Sequence, residues 1–164
     1  MRRASGTPEP RRCGQAVRGD VPPAVRPSLA VPTVLQRQGE WSLRLPFTAV
    51  QDVPNLNDRD HWAVKAGKVK LWRDAAHVLA RQARIPPCQR VRVELHYVPA
   101  TNQRRDPDNL VAAYKPLCDG LVDARVVADD TERYVERVFP IIHPAQRTLA
   151  GRADSRFVLR VLAL

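Results

Sequence analysis

The residues from Arg104 to Asp130, RRDPDNLVAAYKPLCDGLVDARVVADD, are the part of this chain whose types and spacing suit chemistry. Asp106 and Asp108 flank Pro107, Lys115 stands seven residues after Asp108, and Asp129 and Asp130 are adjacent further on. Carboxylates concentrated in a chain of formal charge +10 suit one task well: holding a hydrated divalent cation against a polyanion. Mg²⁺ takes oxygen ligands, typically a few carboxylates completed by water and substrate phosphate. A metal held in this way activates water and neutralises charge developing on a phosphodiester, while an ammonium serves the phosphate or the leaving oxygen.

Each part also has a plainer reading. Asp106 at an N-cap, Pro107 at the first helical position and Asp108 just inside are what an ordinary helix start favours. Asp129-Asp130, after the apolar run Val126, Val127 and Ala128, has the composition of a solvated turn. Lys115 and Asp119 have the spacing of a surface i,i+4 pair. The combination is what points to a metal site. On a regular helix Asp108, Ala112, Lys115 and Asp119 share one side, and helical side chains lean toward the N-terminus. The Lys115 ammonium is therefore expected to turn back toward Asp106 and Asp108.

The elements that would position these groups follow from hydrophobic periodicity. Trp41, Leu43 and Leu45 alternate in WSLRLPF, and Val91, Val93, Leu95 and Tyr97 alternate in RVRVELHYV, so both segments read as strands. From Asp58 to about Arg84, Trp62, Ala66, Val69, Trp72, Ala76 and Leu79 recur at helical spacing, and Pro86-Pro87 ends that helix. The acidic motif lies on a helix over about 107–123, with Leu110, Tyr114, Leu117 and Leu121 as its core stripe. Two more strands are expected near Arg133–Ile142 and Arg156–Leu162. The resulting order predicts an α+β (mixed α/β) fold: a small mixed sheet of about four strands with two packed helices.

At 164 residues the chain has room for one core. Its charge rests on 23 arginines against four lysines (Lys65, Lys68, Lys70 and Lys115). Such a balance implies attraction to nucleic acid, an anionic membrane or another polyanion, although compositional drift in a GC-rich genome also raises the Arg/Lys ratio. Residues 1–38, rich in Pro and Arg, show no apolar periodicity and read as a disordered basic tail ahead of a domain over 39–164. Net charge over residues 1–40 is +4, from seven Arg against Glu9, Asp20 and Glu40, which leaves +6 on the remainder. Met1 is the sole methionine, so translation is expected to start at a valine or leucine codon further in, a point that intact mass decides.

No run of about 18 apolar residues suggests a membrane span, and the N-terminus lacks the apolar stretch of a secretory signal. Cys13, Cys88 and Cys118 are odd in number and widely spaced, which suits reduced thiols in a cytoplasmic protein. His61, His77, His96 and His143 do not fall at zinc-ligand spacing.

RRDPDNL followed by Lys115, Asp119 and Asp129-Asp130 resembles the RusA family of Holliday junction resolvases of bacteria and their phages. That family carries an R-R-D-x-D-N-L segment, a helix lysine and a later D-D pair before a strand. The match is close over about 35 residues. The Leu45-Pro46 strand end and the loop around Pro54-Asn55 also look like the family's N-terminal region. The resemblance implies a RusA-like fold and a homodimeric, Mg²⁺-dependent (or Mn²⁺-dependent) endonuclease that nicks four-way DNA junctions symmetrically. It further implies Asp106, Asp108 and Asp130 as catalytic metal ligands, Asp129 as a helper ligand, and Lys115 as the catalytic lysine at the phosphate.

Candidate DNA contacts are Arg104, Arg105, Lys65, Lys68, Lys70 and Arg73, with phosphate the main target. A solvated face is the usual reading of the charges on the first helix, with a DNA-facing surface as the alternative. The lysine departs from the family spacing. In better-known members it follows the second Asp by four residues, the place of Ala112 here. On a regular helix the added three residues keep the face but move the lysine from about 6 Å to about 10.5 Å along the axis from Asp108. The competing function is a noncatalytic nucleic-acid-binding protein whose aspartates are caps and turns; a third is a metal-dependent hydrolase of flap or other branched DNA.

Overall fold

A five-stranded mixed sheet carries helices on one face, with strand order β1-β2-β5-β3-β4. The computed structural model describes residues 35–37, 39–54 and 61–164. The tail expected over 1–38 lies mostly outside the described residues, as does the loop 55–60. One part of that expectation changes: Leu35–Arg37 forms strand β1, paired antiparallel with β2 (Glu40–Arg44). Three residues are too few to show a periodicity, so sequence placed them in the tail. Gly39, at φ 73°, makes the turn between the two strands, where a side chain would be strained.

The long strands agree with the alternation read from sequence. In β3 (Val91–Val98) Val91, Val93, Leu95 and Tyr97 are buried, and in β5 (Arg156–Ala163) Phe157, Leu159 and Val161 face the same core. Antiparallel pairing of β5 with both β2 and β3 puts these residues in register across the sheet. The opposite face is a ladder of charged partners: Arg160 pairs with Glu40 and Glu94, and Arg92 with Glu136 at 2.7 Å. β4 (Val135–Ile142) lies parallel to β3 as the outermost strand. The sheet thus has the four expected long strands plus short β1, which confirms the α+β class.

Helix α1 (Trp62–Gln82) buries Trp72, Ala76, Leu79 and Ala80. The Trp72 ring stacks on Phe47 (centroids 4.6 Å apart) and meets Phe157 edge-on, while its Nε1 donates to the Asp52 carbonyl at 2.7 Å. The expected stripe fails in the helix's first half. Trp62 is 73% exposed, and Ala66 and Val69 are exposed too, because residues 62–71 bury no apolar side chain. Periodicity records a helix's amphipathic repeat, but not how much of its length finds a partner.

The helix expected over 107–123 is two helices, α2 (Asp108–Val111) and α3 (Tyr114–Asp123), joined by a tight turn at Ala112-Ala113. Pro116 supplies the reason. It has no N–H to give the Ala112 carbonyl, and its ring crowds that carbonyl, so it suits the first turn of a new helix rather than the middle of an old one. Ala113 N–H bonds Leu110 O instead, an i to i+3 step at 3.1 Å. The core stripe survives the break: Leu110, Tyr114, Leu117 and Leu121 are all buried.

α3 packs on α1 at Gly120. A Cβ there would lie 2.4 Å from the Arg73 carbonyl oxygen and 2.8 Å from Ala76 Cβ, so only glycine permits this approach. α1 and α3 then end alike, with Arg84 (φ 52°) and Arg125 (φ 62°) in left-handed conformation. The next residues, Ile85 and Val126, are buried and bond back to Ala80 O and Leu121 O. The second of these endings aims the chain at Asp129-Asp130.

Candidate active site

Asp106 stands two residues ahead of α2, with Pro107 immediately before the first helical residue, one position later than sequence suggests. Its Oδ1 accepts the Asp108 N–H at 3.0 Å, which satisfies one of the donors left open in a first turn. Asp106 and Asp108 are both exposed, and neither makes an ion pair among the described residues. Arg104, Arg105, Asp106 and Asn109 line an open cleft of about 420 Å³ whose apolar wall includes Tyr97, Leu110 and Ile142. Arg105 is turned into its own loop, donating to Thr101 O at 2.7 Å, Gln103 O at 2.8 Å and Thr101 Oγ1 at 3.2 Å. It braces the loop that presents Asp106, whereas Arg104 is exposed in the cleft.

The second acidic pair has different company. Lys115 Nζ lies 2.5 Å from Asp130 Oδ2 and 2.9 Å from Asp119 Oδ1. The lysine expected to lean toward Asp106 and Asp108 is thus engaged with Asp130 and Asp119. The turn at Ala112-Ala113 removes the regular helix on which that expectation stood. Arg137 of β4 adds a second cation, its Nη2 donating to the Asp130 carbonyl at 2.5 Å and standing 3.4 Å from Oδ2. Lys115 and Arg137 hold the Asp130 carboxyl below the usual carboxylate range, the hydrogen bond from Lys115 being the largest cause. In turn Asp130, then Asp119, raise the Lys115 ammonium above its ordinary value. Asp129 Oδ1 accepts the Asp130 N–H at 2.7 Å, so it shapes the loop.

Tyr114 ties the site to the sheet. Between Glu94 and His96 the β3–β4 register slips, with Glu94 opposite Val138 but His96 opposite Ile141. The Tyr114 hydroxyl fills the gap: it accepts Leu95 N–H at 2.9 Å and donates to Val138 O. Burial pushes its pKa up to about 12, so it stays protonated as that donation requires. The residue beside it, Lys115, consequently starts from a fixed point over the β3–β4 pair.

Aspartate oxygens fit Mg²⁺ in kind. Among the described residues no three His, Cys, Asp or Glu side chains are arranged to hold one ion, so Asp106, Asp108, Asp129 and Asp130 form two carboxylate pairs rather than a closed cage. Mg²⁺ commonly uses one or two carboxylates with waters and phosphate, so the donor types present are of the right kind.

The candidate DNA contacts on α1 differ among themselves. Arg73 makes a bidentate pair with Asp123 of α3, at 2.5 and 2.8 Å, which clamps the two helices beside Gly120. Lys70 pairs with Asp74 at 2.5 Å. Lys65 and Lys68 lie half-buried on the helix's open first half. Sequence reading missed Arg137 and the bracing roles of Tyr114 and Arg105. Arg137 is seven residues from Asp130 in an extended strand, a spacing with no local signature. Cys88 and Cys118 are free thiols, and among the described residues no helix is long and apolar enough to cross a membrane.

No protein-family model matches the chain. It is 33% identical over 111 residues to an "Uncharacterized protein" of Xylella fastidiosa (strain Temecula1 / ATCC 700964), a match covering 65% of this chain and 69% of that relative.

Proposed function

The chain belongs to the same family as that Xylella fastidiosa protein, and on the strength of its acidic motif we propose that it is a Mg²⁺-dependent, structure-selective endodeoxyribonuclease. Its substrate in this reading is the four-way DNA junction, resolved by paired nicks in recombination and repair. The observation that carries the proposal is the contact of Lys115 with Asp130, at 2.5 Å. Two motif parts that lie fifteen residues apart, each unremarkable alone, meet in space as a cation beside an acid. The RusA resemblance supplies the reaction class.

The resemblance assigns the metal to Asp106, Asp108 and Asp130, with Asp129 assisting; one or two of these carboxylates, completed by water and phosphate, would hold it. When bound it would supply an activated water and offset charge on the phosphodiester. The chain's own groups do the rest. Lys115, exposed and flexible, exchanges its carboxylate partners for a phosphate oxygen when DNA arrives. Arg104 steers backbone phosphate into the cleft beside Asp106, and Lys65 and Lys68 extend the cationic track. Two copies related by a two-fold axis would match paired nicks on a two-fold junction. The reduced thiols and the DNA substrate suit the cytoplasm.

One observation favours a second reading, a noncatalytic nucleic-acid-binding protein: Asp106 caps its helix, as a purely structural aspartate does. Cleavage of a four-way junction, a flap and a linear duplex with Mg²⁺, with EDTA, and by Asp106→Asn decides between them. Metal-dependent nicking of the junction, lost in Asp106→Asn, is the expected result. Binding without nicking in any metal condition refutes the nuclease, and preference for the flap refutes the junction as substrate.

A further inference from the structure

Arg137 stands where three elements meet. It belongs to β4, its Nη2 donates to the Asp130 carbonyl, and its charge acts on the buried Cys118 thiol of α3. The grip on the acidic loop is mainly a grip on its backbone: the Asp130 carbonyl lies at 2.5 Å, the carboxylate oxygen at 3.4 Å. A planar guanidinium with its donors in a fixed fork can hold the backbone carbonyl while standing beside the carboxylate, which an ammonium on a flexible stem does less well.

The loop has anchors on both sides that do not involve this arginine. On one side Val126 and Val127 are buried, with Val126 bonded to Leu121 O and to Cys88 N–H. On the other, the Thr131 carbonyl accepts both Tyr134 and Val135 N–H at 2.9 Å. Between these anchors Asp129 and Asp130 have the Asp129 bond within the pair and the two cations. Arg137 therefore acts on the place and direction of Asp130 in particular.

We propose that Arg137 is a positioning residue: it sets the Asp130 backbone so that the carboxylate faces Lys115, without itself touching substrate. The proposal rests on the nuclease reading above. Partners of this kind, when removed, typically cost about 10–100-fold in metal affinity or activity.

The test uses the full chain as wild type, Arg137→Ala and Arg137→Lys. It measures single-turnover junction cleavage, junction affinity in EDTA, Mn²⁺ affinity by electron paramagnetic resonance, and thermal midpoint. For Arg137→Ala the expected result is cleavage slowed about 10–100-fold and Mn²⁺ affinity weakened about 10-fold or more, with junction affinity within about 2-fold and the midpoint little changed. Arg137→Lys should recover only part of either loss. Unchanged cleavage and Mn²⁺ affinity in Arg137→Ala overturn the proposal while the nuclease reading stands. Junction affinity falling in step with the rate also overturns it, because Arg137 would then be a phosphate contact. A midpoint drop that by itself accounts for the lost activity overturns it as well. If wild type neither cleaves nor binds Mn²⁺, the nuclease reading fails and takes this proposal with it. If wild type binds Mn²⁺ without cleaving, the Mn²⁺ affinities alone decide for or against Arg137.

Discussion

Two acidic pairs of one residue type sit in this molecule in opposite electrostatic states. Asp106 and Asp108 open a helix; one of them bonds a backbone N–H, and neither has an ion-pair partner among the described residues. Asp130, beside Asp129, is held by Lys115 and Arg137, cations from a helix and from the outermost strand. The first pair is presented by its own local geometry, the second by tertiary structure. Charge alone therefore does not define a site, because the neighbours decide whether a carboxylate waits open or comes already neutralised.

The largest expected effects test whether both pairs serve one reaction. Asp130→Asn should slow junction cleavage by on the order of 10³-fold and Lys115→Ala by on the order of 10²-fold, with junction binding largely retained in gel-shift measurements. An unaffected rate in Lys115→Ala would remove that lysine from the site and leave the two pairs unrelated.

A scaffold change separates them differently. Gly120→Ala drives a methyl into the α1 backbone and should destabilise the fold by about 1–3 kcal/mol in urea unfolding. Because α3 carries Lys115 but not Asp106, it should also disturb the Lys115–Asp130 contact more than the α2 start, as amide shifts would report. Equal disturbance of both would deny that they are separately supported.

At the helix start the effect is smaller. Asp106→Ala should cost about 1 kcal/mol, whereas Asp106→Asn, still a good cap, should cost little. Equal losses would mean that Asp106 contributes through charge rather than through its bond to Asp108 N–H.

The smallest effect is a titration. Because its folded pKa is depressed, Asp130 contributes stability that is present above the ordinary carboxylate value of 3.8 and lost as pH falls through the depressed one. Its side-chain carbon, followed by NMR, should titrate below 3.8 in wild type and move back up in Lys115→Ala. Titration at the ordinary value would show that the cations do not hold it.

Much of the fold was legible because strands declare themselves locally. Val91, Val93, Leu95 and Tyr97 alternate in the chain and lie on one face in the sheet. Helix α1 was legible as a helix but not in its burial, because what covers Trp62 or leaves it open depends on other elements. The break between α2 and α3 was written in Pro116, a residue that cannot donate to Ala112, yet the continuous leucine stripe concealed it. Of the candidate site, the residue types were visible and their partners were not. Arg73, a candidate DNA contact, is paired with Asp123, fifty residues away.

Sequence by itself determined the α+β class, the core faces of the strands, the capped helix start at Asp106, and the set of carboxylates and cations available for chemistry. Each depends on periodicity or on neighbours within a few residues. Tertiary structure alone decided that Lys115 faces Asp130 instead of Asp106, and that Arg137 grips the acidic loop. The reason is physical: these contacts require a broken helix, a glycine-tight helix pair and an outer strand to meet, and no local spacing encodes that meeting.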